Sequence, residues 1–159
     1  MMNKPIDVFP WNSKFETGLI EIDVQHQVLV ELLNKLASHI QDPRTSVTED
    51  VFFELAQYAD FHFSAEEAIW QQYFEDDDWN KAHQYSHAGF INDVIMMKST
   101  DHTVSQEEEM QKIVSFLINW LAFHILDSDK RMAKVVLAMQ KGSSLSEAKK
   151  HILSEIFSP

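Results

Sequence analysis

Three residue pairs constrain this chain more than anything else in it: H-x3-E at His62 and Glu66, H-x3-H at His83 and His87, and H-x4-D at His124 and Asp129. With His26 they make a set of five histidines and two carboxylates. Each member lies in an amphipathic segment, in phase with that segment's apolar stripe. Residues four apart on a helix share one face. A chain that buries these stripes must therefore bury the polar set with them. His124 and Asp129 are the exception. Five apart on a continuous α-helix, they would diverge by about 140°. The spacing predicts a break or turn near Leu126–Ser128.

The stripes themselves define the elements. Asp23 reads as the N-cap of a first helix whose inner face runs Ile22, His26, Leu29, Val30, Leu33, Ala37 and Ile40. Pro43 ends it. Ser46 and Glu49 read as a capping box for a second helix. Its face carries Phe52, Leu55, Ala59, His62, Phe63, Glu66, Ile69, Trp70 and Tyr73. The acidic run at 76–78 offers caps for a third helix, with Trp79, His83, His87, Phe90, Ile91 and Val94 facing inward. Ser105 and Glu108 make another capping box. The fourth helix follows with Ile113, Leu117, Trp120, Leu121 and His124.

The pattern predicts an all-α fold, an up-down-up-down four-helix bundle. Residues 1–22, with Pro5, Pro10, Trp11, Phe15 and Gly18, read as an N-terminal arm. Residues 23–141 form the bundle. Residues 142–159 read as an additional C-terminal helix or a linker. There Ser144 and Glu147 form a third capping box ahead of the stripe Leu145, Ala148, Ile152 and Ile156.

Composition removes several functional classes. A formal charge of −12 repels nucleic acid and anionic membrane alike. The absence of cysteine excludes disulfides, thiolate zinc sites and thiol catalysis. The longest apolar stretch, Ile113 to Leu126, contains Asn119 and His124 and is too short to span a bilayer. The N-terminus shows no apolar signal region. A cytoplasmic location is the expectation.

Any one of these histidines alone reads as a buried, hydrogen-bonded side chain, and a lone H-x3-H as a surface pair. The coincidence of the whole set is what points to metal. Burying five imidazoles and two carboxylates without a cation is very costly. Seven ligands are too many for one ion. Imidazole with carboxylate suits iron, and carboxylates bridge pairs of ions. The Glu-x-x-His pairs of ferritin-like di-iron proteins are absent. His39, off the inner face, His102, in a polar loop, and His151, beyond the bundle, do not join the set.

The chain resembles the hemerythrin family over residues from about 8 to 140. The resemblance rests on F-x-T-G-L-I-E-I-D-V-Q-H around His26, Y-A-D-F-H-F-S-A-E-E around His62 and Glu66, H-Q-Y-S-H-A-G-F around His83 and His87, and W-L-A-F-H-I-L-D-S-D-K around His124 and Asp129. It implies two iron ions with a bridging oxygen. His83, His87 and His124 would hold the saturated iron, His26 and His62 the open one, with Glu66 and Asp129 bridging. Five imidazoles, two bridging carboxylates and the bridging oxygen leave one coordination position for O2. Five neutral imidazoles stabilise high-valent iron poorly, which favours binding O2 over oxidising with it. Leu29, Phe63, Trp120, Leu121 and Ile125 lie where they would wall the open side, besides serving as core.

The resemblance leaves two functional readings. One is an oxygen or redox sensor. The FHILDSDKRMA stretch and the F-P-W arm look most like family members found ahead of diguanylate cyclases and chemoreceptor modules, so a C-terminal output domain is an expected partner. The other is a free-standing O2 carrier or store. An enzyme is not expected, because no acid–base pair appears beyond the ligands.

Overall fold

Apolar residues at helical spacing dictate the elements, and the chain departs from its sequence pattern in one cap and one local geometry. The computed structural model describes residues 8–40, 45–99 and 105–156. Pro5, Pro43 and His102 lie outside them, as does the side chain of Ser46. Among the described residues every regular element is helical. A 3-10 turn at Ser13–Phe15 precedes α1 (Ile20–His39), α2 (Thr45–Phe74), α3 (Asp78–Ser99) and α4 (Gln106–Phe123). A π-helical segment, His124–Asp129, then leads into α5 (Lys130–Gln140), and α6 spans Leu145–Ile156. α1 and α3 each pack against both α2 and α4. Among the described residues no helix is long and apolar enough to cross a membrane.

Two apolar clusters fill the bundle. One gathers Leu33 and Leu36 of α1 with Val51 and Leu55 of α2 and Met110 and Ile113 of α4. The other gathers Ile22, Trp70, Phe74, Met132, Val135 and Val136 with Ala148 and Ile152 of α6. Along the chain the candidate ligands lie between residues of the two clusters: His26 between Ile22 and Leu29, His62 and Glu66 between Leu55 and Trp70, His83 and His87 between Trp79 and Phe90, His124 and Asp129 between Leu117 and Met132. The polar layer thus lies between two apolar clusters.

The caps differ from expectation at the first helix. Leu19, not Asp23, is the N-cap of α1. Asp23 sits inside the first turn, and its carboxylate accepts hydrogen bonds from the Thr17 N–H, the Thr17 hydroxyl and the Gly18 N–H at 2.8, 2.7 and 3.1 Å. It gathers donors from the incoming chain, which is why the pattern of a cap appears without its position. The Ser46 side of the capping box expected at α2 lies outside the described side chains; Glu49 Oε1 accepts from Lys98 and Gln106 at 2.8 and 2.7 Å, joining α2 to α3 and α4. Ser105 and Ser144 do accept from the N–H groups three residues on, at 3.1 Å each. Asp77 caps α3 through the Trp79 N–H at 2.9 Å.

The expected break near Leu126–Ser128 is absent. The backbone stays right-handed helical from Phe123 through Lys130. The π segment closes its hydrogen bonds between residues five apart, so five residues complete about one turn. That returns Asp129 to the face of His124 without interrupting the helix. The arm is fastened by paired bonds between Phe9 and Asn34 of α1, at 2.9 and 3.0 Å. α6 is fastened by Lys149 on Asp77 at 2.7 Å.

Candidate metal centre

All seven sequence-selected side chains converge and are buried: His26, His62, Glu66, His83, His87, His124 and Asp129. α1 supplies His26, α2 supplies His62 and Glu66, α3 supplies His83 and His87, and the π segment supplies His124 and Asp129. Their donor atoms fall into two groups, each within 4.8 Å: Glu66 with His83, His87 and His124, and Glu66 and Asp129 with His26 and His62.

The carboxylates straddle these groups. Glu66 Oε1 lies 2.6 Å from His83 Nε2 and 3.4 Å from His87 Nε2, while Oε2 lies 3.0 Å from His62 Nε2 and 3.4 Å from His26 Nε2. Asp129 Oδ1 lies 3.2 Å from both His83 and His124, and Oδ2 lies 3.0 Å from His26. Each carboxylate therefore turns one oxygen to the three-imidazole side and the other to the two-imidazole side.

Several atoms here approach closely without hydrogen-bond alignment. His26 Nδ1 and Nε2, Glu66 Oε2 and both Asp129 oxygens are buried with no hydrogen-bond partner. Such groups cost roughly 1–3 kcal/mol each when left unsatisfied. His87 Nε2 and His124 Nε2 face each other at 3.0 Å, a hydrogen bond when one of them carries the proton. Cations placed among the seven would satisfy His26 Nε2 and the carboxylate oxygens at once, so the donor set fits a pair of metal ions.

Without metal the electrostatics tie imidazoles to carboxylates. Burial pulls His26 and His83 down, but the Asp129 and Glu66 carboxylates beside them outweigh it and hold both up to about 9. Burial pushes Glu66 up, yet the surrounding imidazoles hold it well below the usual carboxylate range. Asp129 is lowered too, by His124 and His26, against burial and the Glu66 charge. His87 is lowered by burial and by its neighbours His83 and His124.

Three positioning residues escape the sequence pattern. The Nδ1–H of His62 donates to Gln25 Oε1 at 2.7 Å, that of His83 to Ser128 Oγ at 2.7 Å, and that of His87 to Glu67 Oε1 at 3.2 Å. Each bond leaves Nε2 as the inward-facing donor. Gln25, Glu67 and Ser128 each adjoin a ligand in sequence (His26, Glu66 and Asp129) and orient a histidine on another helix. Adjacency to a ligand was the available signal. Trp70 Nε1 also donates to Glu66 Oε1 at 3.2 Å.

Aromatic rings back the histidines. Phe63 stacks on His87 with centroids 4.0 Å apart, and Trp120 stacks on His124 at 4.3 Å. Leu29, Phe63, Trp120 and Leu121 line one apolar cavity beside the site. Ile125 is fully buried but is not among the residues lining it. His151 is exposed and pairs with Glu155 at 3.3 Å, and His39 closes α1; neither joins the cluster.

Known proteins are similar to this chain in sequence. The family model described as the hemerythrin HHE cation binding domain matches residues 17–136. A bacteriohemerythrin of Clostridium acetobutylicum is 30% identical over 129 residues, 77% of this chain and 97% of that protein. A hemerythrin-like protein of Naegleria gruberi is 30% identical over 128 residues, 80% of this chain and 93% of its own length. A bacteriohemerythrin of Pseudomonas aeruginosa is 26% identical over 148 residues, covering 88% and 94%.

Proposed function

The chain belongs to the hemerythrin family, and from that premise we propose that it is a non-haem di-iron protein that binds O2 reversibly, as a binder and not an enzyme. The observation that carries this reading is the pair of carboxylates that each address both imidazole groups. His26 and His62 would hold one iron, His83, His87 and His124 the other, and Glu66 and Asp129 would bridge them. An iron pair held by these residues would supply the electrons needed to hold O2 reversibly. The helices are read as an up-down-up-down bundle around this layer.

The chain's own residues do the rest. Gln25, Ser128 and Glu67 fix three imidazoles with Nε2 inward. Phe63 and Trp120 lock His87 and His124 by stacking. Leu29 and Leu121 supply apolar wall on the side of His26 and His62, which keeps water and protons from the ligand.

Sensing is the use we favour, in the cytoplasm and coupled to an output domain such as a diguanylate cyclase. It is supported by α5, which follows Asp129 without interruption and carries the contacts to α6. The second reading is a free-standing carrier, which the burial of Ala148 and Ile152 against the bundle favours, since α6 then serves as core.

The test is elemental analysis with a gas titration. Protein expressed with iron should hold about two irons per chain. The reduced form should gain a charge-transfer band with O2 and lose it on deoxygenation. One zinc per chain, or oxidation by air with no oxygenated species on fast mixing, would overturn the reading.

A further inference from the structure

A cavity of about 560 Å³ lies beside the metal layer, between α2, α3 and α4, with Leu29 and Leu33 of α1 at its back. It is far larger than O2 requires, since one water occupies only about 30 Å³ of liquid. Packed interiors keep few voids larger than a water. It lies instead within the roughly 300–1,000 Å³ of small-molecule sites.

Its shape is elongated. Phe52 and Phe63 both line it, and eleven residues of helix separate them by about 16 Å. Its walls are apolar throughout, and only Asp60 and Lys98 among the lining residues carry charge. None of the buried polar atoms lacking a hydrogen-bond partner belongs to a lining residue. Water there would find too few partners to be held.

The third helix accounts for the opening. Beyond His87, no described residue of α3 is fully buried. Ile91 and Ile95 are 38% and 59% exposed although they line the cavity. An apolar mouth of this kind admits an apolar guest. The rim charges decide its headgroup. The Lys98 ammonium is already paired with Glu49 at 2.8 Å and Glu109 at 3.8 Å. With Asp60 also lining the cavity, no described lining residue offers an unpaired cation to an anion.

We propose that this cavity binds a neutral, elongated aliphatic molecule, entering past Ile91 and Ile95 with its chain laid along α2 towards Phe63. The inference uses no metal, so its test is separate from that of the O2 reading, although Leu29, Phe63, Trp120 and Leu121 of this cavity are also the proposed wall of the O2 pocket. It also places the guest against Phe63 and Trp120, the rings stacked on His87 and His124.

The experiment uses iron-loaded protein and the neutral fluorophore N-phenyl-1-naphthylamine, displaced by 1-alkanols. The dissociation constant of the alkanols should fall about fourfold per added CH2 from hexanol to decanol. Decanoate should compete at least tenfold more weakly than decanol. Ala59→Phe, which fills the cavity, should weaken decanol at least tenfold with iron content and helicity unchanged. Ile95→Glu, at an exposed rim position, should do so if Ala59→Phe fails to fold. The proposal is overturned if the probe does not bind, if chain length has no effect, or if decanoate matches decanol. Wild-type affinity in a folded variant also overturns it. So does a stable dimer of the parent protein that Ile95→Glu dissociates, because the cover is then a second copy.

Discussion

His124 Nε2 and Asp129 Oδ1 stand 3.2 Å apart although five residues separate them along one uninterrupted helix. An α-helix would point them apart by about 140°. The π segment resolves this by winding one extra residue into the turn. Asp129 thereby reaches His26 of α1, at 3.0 Å, as well as His83 of α3 and His124 of its own helix. A single local change of winding lets one carboxylate address both imidazole groups.

Removing an orienting partner should weaken metal binding without unfolding the bundle. Ser128 Oγ and Gln25 Oε1 each hold the outer nitrogen of a candidate ligand. Loss of such partners typically costs 10–100-fold in metal affinity. Ser128→Ala and Gln25→Leu should each show a drop of about that size in competition with a chelator. A drop below threefold in both would mean that packing alone orients His83 and His62.

The metal-free protein should be most stable in mildly acidic solution. His26 and His83 are raised from 6.5 to about 9 by Asp129 and Glu66. Their contribution is complete below pH 6.5 and is lost as pH rises through about 9. Glu66 and Asp129 are lowered, so theirs is present above about pH 4 and is lost as pH falls. The apo Tm should therefore peak between about pH 4.5 and 6.5. Bound metal requires neutral imidazoles. Loading at pH 7.5 should expel up to about two protons per chain, read by calorimetry in buffers of different ionisation enthalpy. A flat apo Tm from pH 6 to 9, or loading with no proton release, would contradict the charge pairing.

The sequence carried the helices and the polar set for the same reason. Both obey one period, so His26 falls in line with Leu29 and Leu33, and His62 with Glu66. The features that escaped it break that period or cross between elements. Asp129 looks out of phase because a π turn cannot be told from a break by spacing. Asp23 has the chemistry of a cap, but its donors lie before the helix. Gln25, Glu67 and Ser128 act on histidines of other helices, which only the packing reveals. Ile91 follows the inner stripe of α3 yet is exposed, because α3 leaves a cavity open beyond His87.

Leu121→Ala should hasten autoxidation. Leu121 lines the apolar cavity and packs on the core at its edge, only half-buried. Truncation there admits water nearer the site at a stability cost below the 2–5 kcal/mol typical of fully buried leucines. Decay of the oxygenated form should accelerate severalfold, with iron content and helicity retained. An unchanged rate in a folded variant would remove Leu121 from the wall of the O2 pocket.

The state of the metal pair should be reported through α5 and α6. Asp129 touches both imidazole groups and is the last residue of the π segment, so any shift of its carboxylate acts directly on Lys130 and the helix it begins. The π segment holds one more residue per turn than α-helix, and partial return to α winding would rotate α5 about its axis. α5 packs on α6 through Val135, Val136, Ala148 and Ile152. α6 is pinned in turn by Lys149, which bonds Asp77 and lies over the Trp79 ring at the start of α3. A sensor requires two arrangements of this assembly with different affinities for the liganded and unliganded site. Hydrogen exchange of residues 130–156 should then differ between the reduced, oxygenated and oxidised proteins. The largest change should fall in α6, where Lys149→Ala should raise exchange in the state that is already looser. Identical protection in all three states would leave the carrier as the better account of this chain.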